Sequence, residues 1–254
     1  MALGLLSLIS TRPPALDTTT GASSIGEWEA AWTKVLTRHV DDAGRIDVDT
    51  LQRNHADLDL VVAFVAAVDP ITLPRQFPDE YSRLAFYINA YNALTMYGVV
   101  QAGVPESLGG LRKFTFFYLR TFVVGGKSIS LSKFENDVIR PLGDERIHFA
   151  LNCMVISCPR LPREAFSAAK LDAQLDAAAR AFIGETRNVW PDPRKREVWL
   201  SAIFDFYIED FLAHAPSLIA YVNRYRAEQI PADFKVRFLE YHWTVNHRKW
   251  AYVR

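Results

Sequence analysis

Both cysteines of the chain lie in one short segment that also contains a histidine. The segment runs Arg146-Ile-His-Phe-Ala-Leu-Asn-Cys-Met-Val-Ile-Ser-Cys-Pro159, so that His148 precedes Cys153 and Cys158 follows it, each by five residues. The reactive form of cysteine is the thiolate, which a nearby imidazolium or a helix N-terminus favours. These residues predict a cysteine-dependent reaction with His148 as the base, either acyl transfer or peptide hydrolysis, or else thiol redox chemistry.

The position of each cysteine favours a different role. Side chains alternate along an extended strand, so His148 and Cys153 would face apart unless a turn at residues 152–153 intervened. Cys158 precedes Pro159, and proline is favoured at the first position of a helix, whose N–H groups would lower the pKa of the thiol. We therefore expect Cys158 to be the better-placed nucleophile. A bond between the two cysteines would close a short loop and would stabilise the fold by only about 2 kcal/mol. Such a bond is better suited to redox chemistry or to a local clip than to the main support of the fold.

The same segment also suits a structural interpretation, in which Cys153 is a small buried hydrophobic residue and His148 a hydrogen-bonded core residue. A zinc site at His148, Cys153 and Cys158 would lack a fourth ligand nearby, although the fold could bring His242 or Glu135 to it. We expect no metal and no cofactor.

Polar residues elsewhere add further candidates. Asn89 and Asn92 lie three apart in an otherwise apolar helix and share one face. Buried amides need partners, so this pair either fixes a neighbouring loop or orients a substrate. Glu135 follows Ser132 at the spacing of a capping box, with a general acid or base role as the alternative. We add Asn89 and Glu135 to the catalytic candidates; Asn92, Arg146 and His242 are the binding candidates.

Composition limits the class of protein. The chain has 254 residues, half of them hydrophobic and 13% aromatic, which suffices for a sizeable core. Its 29 basic and 29 acidic residues balance, so charge gives no reason to expect nucleic acid as a partner. The partner we expect is an unidentified small molecule, peptide or protein.

The elements that must position these residues follow from periodicity and turn signals. Helical spacing predicts helices, and β-branched or aromatic runs predict strands, with a hairpin turn at Gly125-Gly126. The predicted helices are 25–36, 58–68, 81–101, 132–139, 168–182, 201–211 and 216–225; the predicted strands are 114–124, 127–130, 198–200 and 236–245. This order predicts an α+β fold, helix-rich, with a small and mostly antiparallel sheet in a single globular domain, residues 24–254.

The N-terminal segment differs from the rest. Residues 1–10 are apolar, and residues 11–23 are rich in Pro, Thr, Gly and Ser. We interpret residues 1–23 as a flexible leader or a residual signal segment. A trimmed signal peptide would indicate a periplasmic or secreted protein, and an ordinary terminus a cytoplasmic one. No stretch of the sequence predicts a transmembrane helix.

Five ordered motifs together resemble a known family, the domain of unknown function number 547. They are Leu84-Ala-Phe-Tyr-Ile-Asn-Ala-Tyr-Asn-Ala-Leu94, the hairpin from Gly125 into Phe134-Glu135, the cysteine segment, Leu200-Ser-Ala-Ile-Phe204 with Tyr207 and Asp210-Phe211, and Glu240-Tyr-His-Trp-Thr-Val-Asn246. The resemblance covers about residues 45–246. It implies a bacterial-type protein, and some relatives resemble fusions with glutaredoxin-like domains while many look exported, which suggests thiol chemistry by association.

Two positions depart from the family pattern. Met154 follows the first cysteine where the family usually has a small residue, and His242 replaces the aspartate of a Tyr-Asp-Trp sequence. These departures favour the second of two hypotheses for this chain. The first is a cysteine-dependent enzyme, and the second is a non-catalytic ligand- or protein-binding module with a structural cysteine and asparagine core.

Overall fold

The computed structural model of the protein describes residues 24–249. The predicted leader, residues 1–23, lies outside the described residues, as do residues 250–254. Helices dominate the described part of the chain, and the strands are short, so the predicted helix-rich α+β class is confirmed. The helices are α1 Ile25–His39, α2 Val48–Arg53, α3 Ala56–Ala67, α4 Glu80–Gln101, α5 Leu111–Phe114, α6 Leu131–Lys133, α7 Leu171–Gly184, α8 Ile203–Phe206, α9 Ile208–Leu212 and α10 Leu218–Asn223.

Helix α4 is the central element of the fold. Asp79 caps it by accepting a hydrogen bond from the backbone N–H of Ser82, whose hydroxyl returns a bond to the cap. Buried residues occur on every side of the helix, as expected for a helix surrounded by other elements. Helix α4 therefore carries its polar residues Asn89, Tyr91 and Asn92 into the interior.

The strands form two small sheets. Strands β1 Thr121–Val124 and β2 Lys127–Ser130 make the predicted hairpin. Gly125 and Gly126 both have positive φ, at 55° and 77°, a combination that glycine adopts without strain. In the second sheet, β4 Glu197–Leu200 lies between β3 Val189–Asp192, which is antiparallel to it, and β5 Lys235–Phe238, which is parallel.

One predicted strand is largely wrong. Residues 111–119 are helical, as α5 followed by a π-helical segment Thr115–Leu119, and the strand begins only at Thr121. Phe116 and Phe117 are consecutive and both buried, whereas a strand would bury only one of them. Packing against α4 decides the outcome, because Gly98 lets the Phe116 ring approach the helix closely.

Two other predicted elements are shifted or shortened. Ser130, not Ser132, caps α6, and the chain continues as a π-helical segment, Phe134–Ile139. The late strand ends at Phe238. Beyond it, Thr244 and Val245 make only isolated bridges. Residues 239–243 lie outside any strand, and Tyr241 in this stretch contacts the cysteine segment.

The apolar interior consists of two clusters, and the cysteine segment passes between them. Ala150 and Leu151 belong to the larger cluster around α4, while Phe149 belongs to the cluster around α7 to α10. Tyr241 packs against both clusters. None of the helices within residues 24–249 is long and apolar enough to cross a membrane.

Candidate functional site

Two buried amides hold the cysteine segment in place. The Asn92 side chain donates to the carbonyl of Ala150 at 2.9 Å and accepts from the N–H of Asn152 at 2.7 Å. The Asn152 side chain accepts from the N–H of Met154 at 2.7 Å and donates to the carbonyl of Pro159 at 2.5 Å. The loop is thereby fixed at both ends, as we expect when buried polar groups are fully paired.

A tight turn at Met154 brings the two cysteines together. Met154 is buried and has a φ of 65°, in the left-handed region that side chains other than glycine rarely adopt. Cys153 and Cys158 are joined by a disulfide. Cys153 is the more exposed residue of the pair, because it is partly exposed whereas Cys158 is only 3% exposed.

The predicted helix N-terminus at Cys158 is wrong. The next helical turn along the chain is Ala168–Lys170, well beyond Pro159. Pro162 supplies the physical reason, since a residue preceding proline is disfavoured in helical conformation. No helix dipole therefore acts on the Cys158 sulfur from this side.

Two hydrogen-bond donors face the sulfurs instead. The backbone N–H of Cys153 donates to the Cys158 sulfur at 3.0 Å. The Tyr241 hydroxyl lies 3.1 Å from the Cys153 sulfur and 3.2 Å from the Cys158 sulfur, and it must be the donor because a disulfide sulfur carries no hydrogen. Burial, followed by the charge of Glu135, raises the pKa of Tyr241 above its ordinary value, so the hydroxyl keeps its proton.

The disulfide opens onto a pocket of about 370 Å³. Four sequence-predicted candidates line it together: Glu135, His148, Cys153 and Cys158. Other lining residues are mostly aromatic or cationic and include Tyr91, Lys113, Arg140, Phe206, Tyr207, Tyr241 and Trp243. A concave site that combines aromatic side chains with converging polar groups is a candidate small-molecule or peptide site.

Glu135 is an acceptor inside this pocket and not a helix cap. One carboxylate oxygen accepts from the Tyr91 hydroxyl at 3.2 Å, and the other accepts from the Tyr207 hydroxyl. Burial and the neighbouring carboxylate raise the pKa of both tyrosines well above the ordinary value, so both hydroxyls remain donors. The π-helical segment Phe134–Ile139 turns Glu135 toward the pocket.

His148 pairs with a carboxylate. Its Nε2 lies 2.7 Å from an oxygen of Asp210, and Arg140 donates two further bonds to the same carboxylate at 2.8 and 2.9 Å. The hydrogen bond from His148 and the ion pair with Arg140 hold the pKa of Asp210 far below its ordinary value, against the opposing effect of burial. The imidazole also stacks on Tyr207, with ring centroids 3.8 Å apart.

In this arrangement, the imidazole of His148 is not positioned as a base for either cysteine. The Nδ1 atom of His148 is buried without a hydrogen-bond partner. Within the described residues, no hydrogen bond joins His148 to the sulfur of Cys153 or Cys158. The fold brings the predicted pair to one pocket but gives the histidine a carboxylate partner.

Four sequence candidates lie away from the pocket lining: Asn92, which holds the cysteine segment from behind, and three others. Asn89 exchanges two hydrogen bonds with the backbone of Phe166, at 2.7 and 2.9 Å, and so fixes a neighbouring loop. Arg146 pairs with Asp144 and Asp172 at a separate surface depression. The exposed His242 contributes its backbone N–H to the Ser157 hydroxyl at 2.9 Å.

Sequence reasoning missed the partners that shape the site, although some signals existed. Tyr207 lies between two short helices, and Asp210 follows it by three residues in the second of them, where its backbone N–H donates to the Tyr207 carbonyl. Tyr241 immediately precedes His242, which the sequence analysis had singled out. Arg140 and Lys113 carried no signal, because their neighbours at the site are distant along the chain. In residues 24–249, no group of three or more His, Cys, Asp or Glu side chains is arranged to hold a metal ion.

Comparison with known proteins gives one finding. Residues 74–183 match a family model described as "Protein of unknown function, DUF547". The matched range contains Glu135, His148 and both cysteines, whereas Asp210 and Tyr241 lie beyond it. Neither the curated proteins nor the solved structures contain a match to this chain.

Proposed function

Residues 74–183 match the model of the DUF547 family, whose description names no reaction, and we propose from the pocket geometry that the protein catalyses thiol–disulfide exchange. One observation carries this proposal: the Cys153–Cys158 disulfide lines a pocket, Cys153 is partly exposed, and the sulfur of the buried Cys158 accepts hydrogen bonds. The proposed substrate is a thiol when the protein is oxidised and a disulfide when it is reduced.

The first step of exchange fits the asymmetry of the two sulfurs. A substrate thiolate attacks the sulfur of Cys153, the more exposed residue of the pair, since access helps to determine which sulfur is attacked. A bond forms between the substrate and Cys153 while the disulfide breaks, and its electron pair remains on the Cys158 sulfur as a thiolate. The N–H of Cys153 and the Tyr241 hydroxyl already face that sulfur, and such bonds strengthen when the acceptor becomes charged.

The second step completes the electron balance. A second substrate thiolate attacks the substrate sulfur of the mixed disulfide and releases Cys153 as a thiolate. Two substrate thiols thus become one substrate disulfide, and the protein gains two electrons and two protons as a dithiol. The reverse sequence, started by the Cys153 thiolate, reduces a substrate disulfide, so the cycle needs no further oxidant or reductant.

The geometry gives less support to the acyl-transfer hypothesis. That chemistry requires a free thiolate activated by an adjacent base. Both cysteines are engaged in a disulfide, and the Nε2 of His148 is engaged with Asp210. In the proposed reaction, the His148–Asp210 pair positions the pocket wall through its stacking on Tyr207.

The proposal predicts a fast reaction of the folded protein with a dithiol. We expect dithiothreitol to reduce the Cys153–Cys158 bond at least roughly tenfold faster than the same bond in a synthetic peptide of residues 151–160, because the leaving thiolate is stabilised. Samples quenched with iodoacetamide and weighed by mass spectrometry give both rates. A folded-protein rate equal to or below the peptide rate would contradict catalysis of exchange.

Tyr241 should accelerate this step through its hydroxyl. We expect Tyr241→Phe to slow reduction of the disulfide by roughly tenfold, the equivalent of one charge-assisted hydrogen bond to the leaving sulfur. The alkylation profile of the reduced protein should also move to higher pH. Tyr221→Phe is the matched control, because its buried hydroxyl donates to Glu145 and not to a sulfur. Equal rates in the two variants would remove Tyr241 from the mechanism.

A further inference from the structure

We infer that the thiol substrate carries a carboxylate that pairs with Lys113, an inference that rests on the proposed exchange function. Two cations line the pocket, Lys113 and Arg140. Arg140 is already committed, with two bonds to Asp210 and one to the side-chain oxygen of Asn136 at 2.6 Å. Lys113 alone of these two has no carboxylate partner within the described residues.

Neither acidic residue of the site forms an ion pair with Lys113. Glu135 has both carboxylate oxygens occupied by tyrosine hydroxyls. Asp210 faces both Arg140 and His148. Lys113 is therefore the cation of the pocket whose ammonium remains available to a carboxylate of the substrate.

A continuous aromatic wall connects the reactive sulfur to this cation. The Tyr241 hydroxyl touches the Cys153 sulfur, and the Tyr241 ring lies 4.8 Å from that of Trp243. The Lys113 ammonium sits 4.5 Å from the Trp243 ring centroid and 5.8 Å from that of Phe206. Cation–π contacts of this kind hold the ammonium at the wall. A thiol bound along it would place its sulfur at Cys153 and its carboxylate at Lys113.

A matched pair of small thiols tests the inference. We would measure second-order rate constants for reduction of the protein disulfide by 3-mercaptopropionate and by its uncharged amide. Each constant is corrected for the fraction of the reagent present as thiolate, and the same two constants are measured for the peptide of residues 151–160. We expect the acid-to-amide ratio to be roughly fivefold higher for the protein than for the peptide, and to fall with added salt. Two further probes, acetylated peptides with Cys-Asp or Cys-Asn, show whether a small thiol or a polypeptide supplies the carboxylate better.

Substitution of the lysine separates the outcomes. Lys113→Gln should lower the acid-to-amide ratio to the peptide value, and Lys113→Arg should restore the preference. Lys127→Gln is the control, because this exposed lysine pairs with Asp69 away from the pocket. An unchanged ratio in Lys113→Gln would overturn the inference alone. Failure of every thiol to react faster with the protein than with the peptide would overturn the exchange function itself.

Discussion

Replacing Cys158 by serine should give a protein that forms one mixed disulfide at Cys153 and cannot resolve it. Cys153, the more exposed cysteine, remains, so a disulfide probe such as dithiobis(nitrobenzoate) still reacts with it. The buried thiol that would displace the bound group is gone. We expect one equivalent of thionitrobenzoate to be released and a stable adduct to appear by mass spectrometry. The reduced wild-type protein should release two equivalents and return to the internal disulfide.

Cys153→Ser provides the opposite variant. Its remaining thiol is Cys158, only 3% exposed in the disulfide form, so we expect adduct formation at least roughly tenfold slower, because exchange rates depend on access. Equal reactivity of the two single-cysteine proteins would contradict the assignment of Cys153 as the attacked sulfur. A stable mixed disulfide on the reduced wild-type protein would mean that neither cysteine resolves the other.

The site was predictable from the sequence where its residues lie close along the chain. Cys153, Cys158 and His148 share one segment, and Glu135 was recognised as a polar residue at a helix start. The structure places all four at one pocket. The carbonyl and N–H bonds made by Asn92 match the loop-fixing role that the sequence analysis offered as one alternative.

The remaining features required information that no local pattern contains. The role of Tyr241 depends on a chain path that returns to the cysteines from more than eighty residues away. Aromatic residues 114–119 have strand propensity, yet this stretch is helical, with the Phe116 ring packed against Gly98 of α4, and the preceding Lys113 lies at the pocket. Sequence periodicity reports which residues are buried, but here tertiary packing decides the secondary structure that buries them.

The links between His148, Asp210 and Arg140 also join segments that are far apart in sequence. Asp210 lies in α9, among residues of the cluster around α7 to α10, whereas Arg140 follows the π-helical segment that carries Glu135. The carboxylate therefore ties together two sides of the pocket. This places the largest expected loss of stability at Asp210 and not at either cysteine.

Asp210→Asn should lower the free energy of unfolding by about 3 kcal/mol at pH 7, since removing the carboxylate of a largely buried ion pair leaves Arg140 without its counter-charge and weakens the hydrogen bond of His148. The side chain of His148 is 1% exposed, and those of Arg140 and Asp210 are 29% and 26% exposed. Asp176→Asn is the matched control, because its partner Arg180 is 57% exposed and such a pair contributes roughly 0.5 kcal/mol or less. Urea unfolding followed by circular dichroism gives both values.

The pH dependence provides a second test of the same pair. The pKa of Asp210 is lowered in the folded protein, so its contribution is fully present above the unfolded-state value of about 3.9 and is lost as pH falls toward the folded-state pKa. The difference between wild type and Asp210→Asn should therefore shrink below about pH 4. A difference of equal size at pH 7 and pH 3 would show that Asp210 stabilises the fold through its shape and not through its charge.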